Sequence, residues 1–180
     1  MKIKDYLLYP LHRKDLKWKI NHGFAQRGRI PAVKVETELE AKHIRRNQTI
    51  GIRRIINRKV TTAFVNDIVN TLINGSTTFN NYKYHDSGTG TNPESNSDTA
   101  LQSPTGIARV VGTQQTGGSN NVYKSVAEIT YNNSYAITEH GLFNASTNGT
   151  LMDRTVFSPI NVMQNDKIQF TFTITFNPES

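Results

Sequence analysis

Cysteine is absent from this 180-residue chain, which excludes a disulfide framework, a thiolate metal site and a thiol nucleophile. Long apolar runs are missing too. No stretch approaches the ~18 residues of a membrane span, and the start, Met1-Lys2-Ile3-Lys4-Asp5-Tyr6, lacks the apolar segment of a signal peptide. The expectation is a chain made and kept in a cytosol-like space, or in a particle assembled there, with no membrane contact. Apolar residues make up only 36%. Thr, Asn, Ser and Gly stand where Leu, Ala and Glu are usual, a bias toward strands and turns over helix bundles. Histidines are few, and His12, His22, His43, His85 and His140 show no ligand spacing, so no metal site is expected. The N-x-S/T triplets at Asn47, Asn74, Asn132, Asn144 and Asn148 follow from the same composition and matter only on secretion.

What the chain has in excess is positive charge at one end. Of 21 Lys and Arg, 16 lie in the first 59 positions against five acids, while the remaining residues carry five bases and nine acids. The division predicted is a basic arm, 1–59, followed by a folded body, 60–180. In the arm, bases alternate with single apolar residues, and Pro10, Gly23, Gly28 and Pro31 interrupt any long helix. Such a segment cannot bury Tyr6, Tyr9, Trp18 and Phe24 against itself, and these read as anchors for pockets on another chain. Arg13, Arg27, Arg29, Arg45, Arg46, Arg53 and Arg54 join them as the predicted partner-binding set. Between Val35 and Lys59 the secondary structure stays open, because paired arginines at helical spacing coexist with Gly51 and several isoleucines.

The body is plainer. Thr61 or Thr62 can cap a helix whose Phe64, Val65, Ile68, Val69, Leu72 and Ile73 form one apolar stripe, stopped by Asn74-Gly75. The stripe is expected to be buried against the sheet that follows. From Phe79 the period becomes two, most cleanly in Asp166 to Phe176, where Ile168, Phe170, Phe172, Ile174 and Phe176 share one face. Similar runs at Phe79 to Tyr84, Ala108 to Val111, Val122 to Tyr131, Tyr135 to Phe143 and Leu151 to Phe157 complete about six strands. The fold class predicted is mainly β: an antiparallel sandwich, or a jelly-roll-like body, with one amphipathic helix and an extended basic N-terminal arm. The polar stretch Ser87 to Pro104 reads as a surface loop and as the body's contact surface.

Catalytic constellations are not found. His85-Asp86-Ser87 holds the residue types of a hydrolase triad, but consecutive residues on an extended chain point in alternate directions. Gly88-Thr89-Gly90 lacks the lysine and helix of a phosphate loop and reads as a turn. Glu139 and Arg154, on strands expected to be neighbours, suggest a cross-strand ion pair that fixes register. Gly141 marks either a close approach of neighbouring backbone or a bulge. No enzyme, cofactor or small-molecule substrate is expected.

Three segments carry a resemblance. Tyr135-Ala-Ile-Thr-Glu-His-Gly-Leu-Phe-Asn-Ala, Gly149-Thr-Leu-Met-Asp-Arg-Thr-Val-Phe and Asn165-Asp-Lys-Ile-Gln-Phe-Thr-Phe resemble a strand pattern of structural proteins of tailed bacteriophages, and Phe79 to Thr91 resembles the strand and loop that precede it there. The likeness spans roughly residues 60 to 176. It implies a β-rich virion module of the tail, fibre or head-decoration type, located in a particle assembled in host cytoplasm. Its partners would be other virion structural proteins and further copies of itself, with the arm as tether. The alternative for the arm is nucleic acid: its bases would neutralise packaged DNA while Trp18, Tyr6, Tyr9 or Phe24 stack on bases.

Overall fold

From Val33 to His43, Val, Thr, Leu, Ala and His alternate with Lys and Glu at every second position. A strand follows directly, because period two places one set on each face. The computed structural model describes residues 33–56 and 58–178, and Lys34–Asn177 forms one compact unit. Strand β1 (Val33–Arg45) turns through Arg46-Asn47 into β2 (Gln48–Ile56). Both turn residues have left-handed φ, 51° and 62°, as a two-residue type I′ hairpin requires. Helix α1 (Thr62–Asn74) and a 3-10 turn (Phe79–Asn81) lead to β3 (Tyr84–Gly88), β4 (Val110–Val111), β5 (Thr113–Thr116), β6 (Val122–Thr130), β7 (Tyr135–Phe143), β8 (Leu151–Val162) and β9 (Lys167–Pro178).

Two antiparallel sheets result, ordered β2-β1-β9-β6-β5 and β4-β3-β7-β8. Their inner faces meet in one core. Ile168, Phe170, Phe172 and Ile174 of β9 and Ala127 and Ile129 of β6 face Ile137 and Leu142 of β7 and Phe157, Ile160 and Val162 of β8. Among the described residues the expected mainly-β sandwich with one helix is therefore what forms. The expected boundary at 59/60 is not: β1 sits between β2 and β9, with Leu39, Ala41 and Ile55 in the core, so the body begins near Val33 and not at Val60. Tyr6, Tyr9, Arg13, Trp18, Phe24, Arg27 and Arg29 lie outside the described residues.

Strand limits moved where polar residues hid the period. Phe79–Asn81 is a 3-10 turn, and the strand expected there starts only at Tyr84. β8 runs on through Ser158-Pro159 to Val162, since a bulge against β7 between Ile137 and Glu139 absorbs the residues that looked like a stop.

The helix departs furthest from expectation. Thr61 caps it by accepting from Phe64 N at 3.1 Å, and the same hydroxyl donates to Leu151 O. Phe64 is buried, edge-on to Tyr82 with ring centroids 5.1 Å apart, and Ile68 is half-buried. Yet Val65, Val69, Leu72 and Ile73 are 46%, 51%, 81% and 74% exposed, so most of the stripe expected to pack faces outward. Thr61→Ala removes both the cap and the tie to β8. We expect a loss of about 1–2 kcal/mol in urea unfolding, against a few tenths for an exposed control such as Thr77→Ala.

Candidate functional site

Three features of the body bear on what it can do: a loop fastened over one sheet, a polar cluster between the sheets, and uncovered apolar surface. The first centres on Glu139. Its side chain is fully buried, and it accepts from Arg154 Nε at 2.8 Å, Gly90 N at 3.0 Å, Gln102 N at 3.0 Å and Ser103 N at 2.7 Å. Burial alone would raise its carboxyl, but the Ser103 amide, the Arg154 guanidinium and the Gln102 and Gly90 amides together hold it below the usual carboxylate range. Arg154 reaches onward to Asp98 Oδ2 at 3.1 Å and Asn92 O at 3.3 Å.

The ion pair expected between Glu139 and Arg154 is present, and it does more than set register: it ties loop 89–109 onto the outer face of β7 and β8. Gly88 and Gly90 explain themselves here, because a Cβ at either would collide with the Glu139 carboxylate. Gly141 also gives room, though to a side chain and not to backbone: a Cβ there would stand 2.9 Å from Leu101 Cδ2. Leu101, Phe143 and Leu151 make a small second core under the loop. Leu142 and Phe143 are thus both buried, one against each layer. At the far side of the loop Arg109 stacks 3.4 Å over the Phe143 ring and donates to Ala145 O at 2.9 Å and Asn148 O at 2.6 Å. The loop expected as a contact surface therefore spends its inner side on the body itself.

Between the sheets, His85 Nδ1 lies 3.0 Å from His140 Nε2, and His85 Nε2 lies 2.8 Å from Ser125 Oγ. Both rings are buried, and His140 stacks on Phe170 at 4.5 Å. Burial pushes His85 down to about 3, and burial with the neighbouring His85 holds His140 well below the ordinary histidine range, so both are neutral at pH 7. Ser87 accepts from the Tyr131 hydroxyl at 3.1 Å and has no histidine partner. His85-Asp86-Ser87 is accordingly no relay: Asp86 faces the opposite way, to Arg109 Nε at 3.3 Å. Asp153 is fully buried with one oxygen on Thr155 Oγ1 at 2.6 Å and the other without a partner, and burial pushes it up to about 7.

The arginines of the predicted partner-binding set that fall on the β1–β2 hairpin have separate positions. Arg45 is held by Asp166, 2.7 Å from Nη2, and Asp166 also meets His43 Nε2 at 2.9 Å and Met163 N at 2.9 Å. This buried carboxylate, held low chiefly by the Arg45 hydrogen bonds, locks the hairpin to the β8–β9 turn. Arg54 pairs with Glu40 at 2.8 Å on the outer face, whereas Arg46 and Arg53 point into solvent. The structure does not bring these four into one patch. Arg45 is an internal staple, which its spacing from Asp166, 121 residues on, gave no means of seeing.

Uncovered apolar surface is the feature that sequence reasoning missed. Besides the α1 stripe, Ile50, Ile52 and Ile56 stand exposed on edge strand β2. Beside α1 a groove of about 480 Å³ opens, lined by Phe64, Phe79, Tyr82, Tyr123, Met152 and Phe176, with Asn80 and Gln114 at its rim. Among the described residues none that lines it is charged. Compared with known proteins, the chain matches no family model, no curated protein and no solved structure.

Proposed function

We propose that this chain is a structural component of a bacteriophage virion, in which the β-sandwich is an assembly module and the basic N-terminal segment tethers it to neighbouring subunits. The observation that carries this reading is the uncovered apolar face of α1: four large aliphatic side chains, 46–81% exposed, on a helix without a single Lys, Arg or Glu. A folded unit keeps such a face for a partner. The segments that resemble phage virion proteins add support, since they fall on consecutive elements of the chain, β7, β8 and the β8–β9 turn with β9.

Produced with the neighbouring reading frames of its own genome, the tagged chain is expected to co-sediment with particles at fixed copy number. Deleting residues 1–31 is expected to leave a folded body that stays out of them, as read by mass spectrometry of purified particles. Incorporation of the truncated chain at normal copy number would sink the tether. If the arm serves packaged DNA instead, the free protein binds DNA tightly with a steep salt slope.

A further inference from the structure

The groove beside α1 and the basic segment complement each other. The groove is walled by aromatic rings and Met152, and its volume of about 480 Å³ lies in the range of sites that hold a large side chain or small ligand. Segment 1–32 carries four large aromatics, Tyr6, Tyr9, Trp18 and Phe24, and eight bases against two acids. Its sequence cannot bury those rings against itself, for the bases and the Pro and Gly breaks leave no continuous apolar face.

The point of entry also fits. β1 begins beside the end of β9, where Asn177 Nδ2 donates to Glu36 Oε2 at 3.3 Å, and that end of β9 supplies Ile174 and Phe176 to the groove. The root of the segment and the mouth of the groove therefore share one end of the sandwich. Fully extended, 32 residues span about 100 Å at ~3.3 Å each, ample to cross to an adjacent copy.

We propose that this groove is the acceptor site for segment 1–32 of a second copy of this chain, with Trp18 seated between Phe79, Tyr123 and Phe176. The proposal rests on the tether reading and names the tether's receptor. Trp18 is the bulkiest anchor, and its neighbours Lys17 and Lys19 stay outside a lining that carries no charge. The amides of Asn80 and Gln114 at the rim offer the polar partner that a buried indole N–H requires. Such an exchange can close as a reciprocal pair or, head-to-tail, as a ring.

Trp18 is the only tryptophan, so its emission reports its own surroundings in the unmodified full chain. A blue shift that grows with protein concentration, in step with the oligomer fraction in sedimentation, is the expected result. In Phe176→Lys the shift is expected to vanish and the chain to sediment as a monomer, with the circular dichroism of the parent. The lack of cysteine permits a second test that keeps the aromatic walls and leaves Gln114 as the rim amide: chains carrying only Lys17→Cys are mixed with chains carrying only Asn80→Cys under oxidising conditions. A mixed disulfide dimer supports the exchange.

Three results overturn it. Oligomers in which Trp18 emits as a solvent-exposed indole place the contact elsewhere. A shift already complete in the monomer, with the Lys17→Cys/Asn80→Cys double variant closing within one chain, makes the occupant the chain's own arm. Normal particle incorporation of Phe176→Lys alongside exclusion of the arm-deleted chain removes the groove and leaves the tether standing, whereas incorporation of both removes the tether itself.

Discussion

Replacing Glu139 with alanine is expected to cost about 3–5 kcal/mol of folding stability, the largest loss of any single substitution outside the apolar core. The carboxylate is fully buried and meets four donors, so its removal takes from the Arg154 guanidinium, which is 3% exposed, its buried counter-charge and leaves it Asp98 alone, and it strands the amides of Gly90, Gln102 and Ser103. A stranded buried charge costs far more than the pair itself contributes. Consequently the double variant Glu139→Leu/Arg154→Leu is expected to lose less than the sum of the two single changes. Local and global effects separate in hydrogen exchange. Amides of residues 89–103 should lose protection in Glu139→Ala under conditions where β6 and β9 keep theirs, because the loop's ties run to Glu139 while the core runs through Phe170 and Ile168. Equal loss of protection in loop and core would show that the ion pair holds the fold as a whole and not the loop.

That junction illustrates which parts of the fold were legible in the sequence. Period-two alternation made β6, β7 and β9 readable to within a residue or two, and opposite charge on neighbouring strands made the Glu139–Arg154 pair readable. The carboxylate's three backbone partners were not, because amides of a loop about 40 residues away carry no side-chain signal. β1 was legible but obscured: Lys34, Glu36, Glu38, Glu40 and Lys42 form the wet face of a strand whose dry face is Thr37, Leu39, Ala41 and His43. Read as charge alone, the same residues looked like part of an arm. The α1 stripe failed in the opposite way. Its spacing defines a face that must be covered, and only the structure shows that the body covers Phe64 and Ile68 and leaves the rest. Spacing tells which residues share a face and not whether the partner lies in the same chain.

Asp153→Asn is expected to stabilise the protein by about 4 kcal/mol at pH 8, with the gain shrinking to nothing below about pH 4. The carboxyl is fully buried, one oxygen has no partner, and its folded-state value is pushed up to about 7 from an ordinary 3.8. A raised acid contributes stability that is fully present below 3.8 and lost as pH rises through about 7, so the native chain carries the cost of an unsatisfied buried anion above neutrality. His85 and His140 act with the opposite sign. Their folded values lie below the ordinary 6.5, so the stability they contribute is present above 6.5 and is lost as pH falls toward the folded value, about 3 for His85. As pH falls below 6.5 the two histidines oppose Asp153 and Asp86, whose carboxyl burial also raises, so the parent protein loses stability on acidification more slowly than the histidines alone would dictate. Asp153→Asn removes the larger opposing group and steepens that loss by about one proton, and His140→Leu in the same background takes about one proton back. Urea unfolding at half-unit steps from pH 4 to 8 measures all three slopes. Parallel curves for the parent and Asp153→Asn would mean that Asp153 titrates alike in the folded and unfolded chains, and that the space between the sheets is wetter than its packing shows.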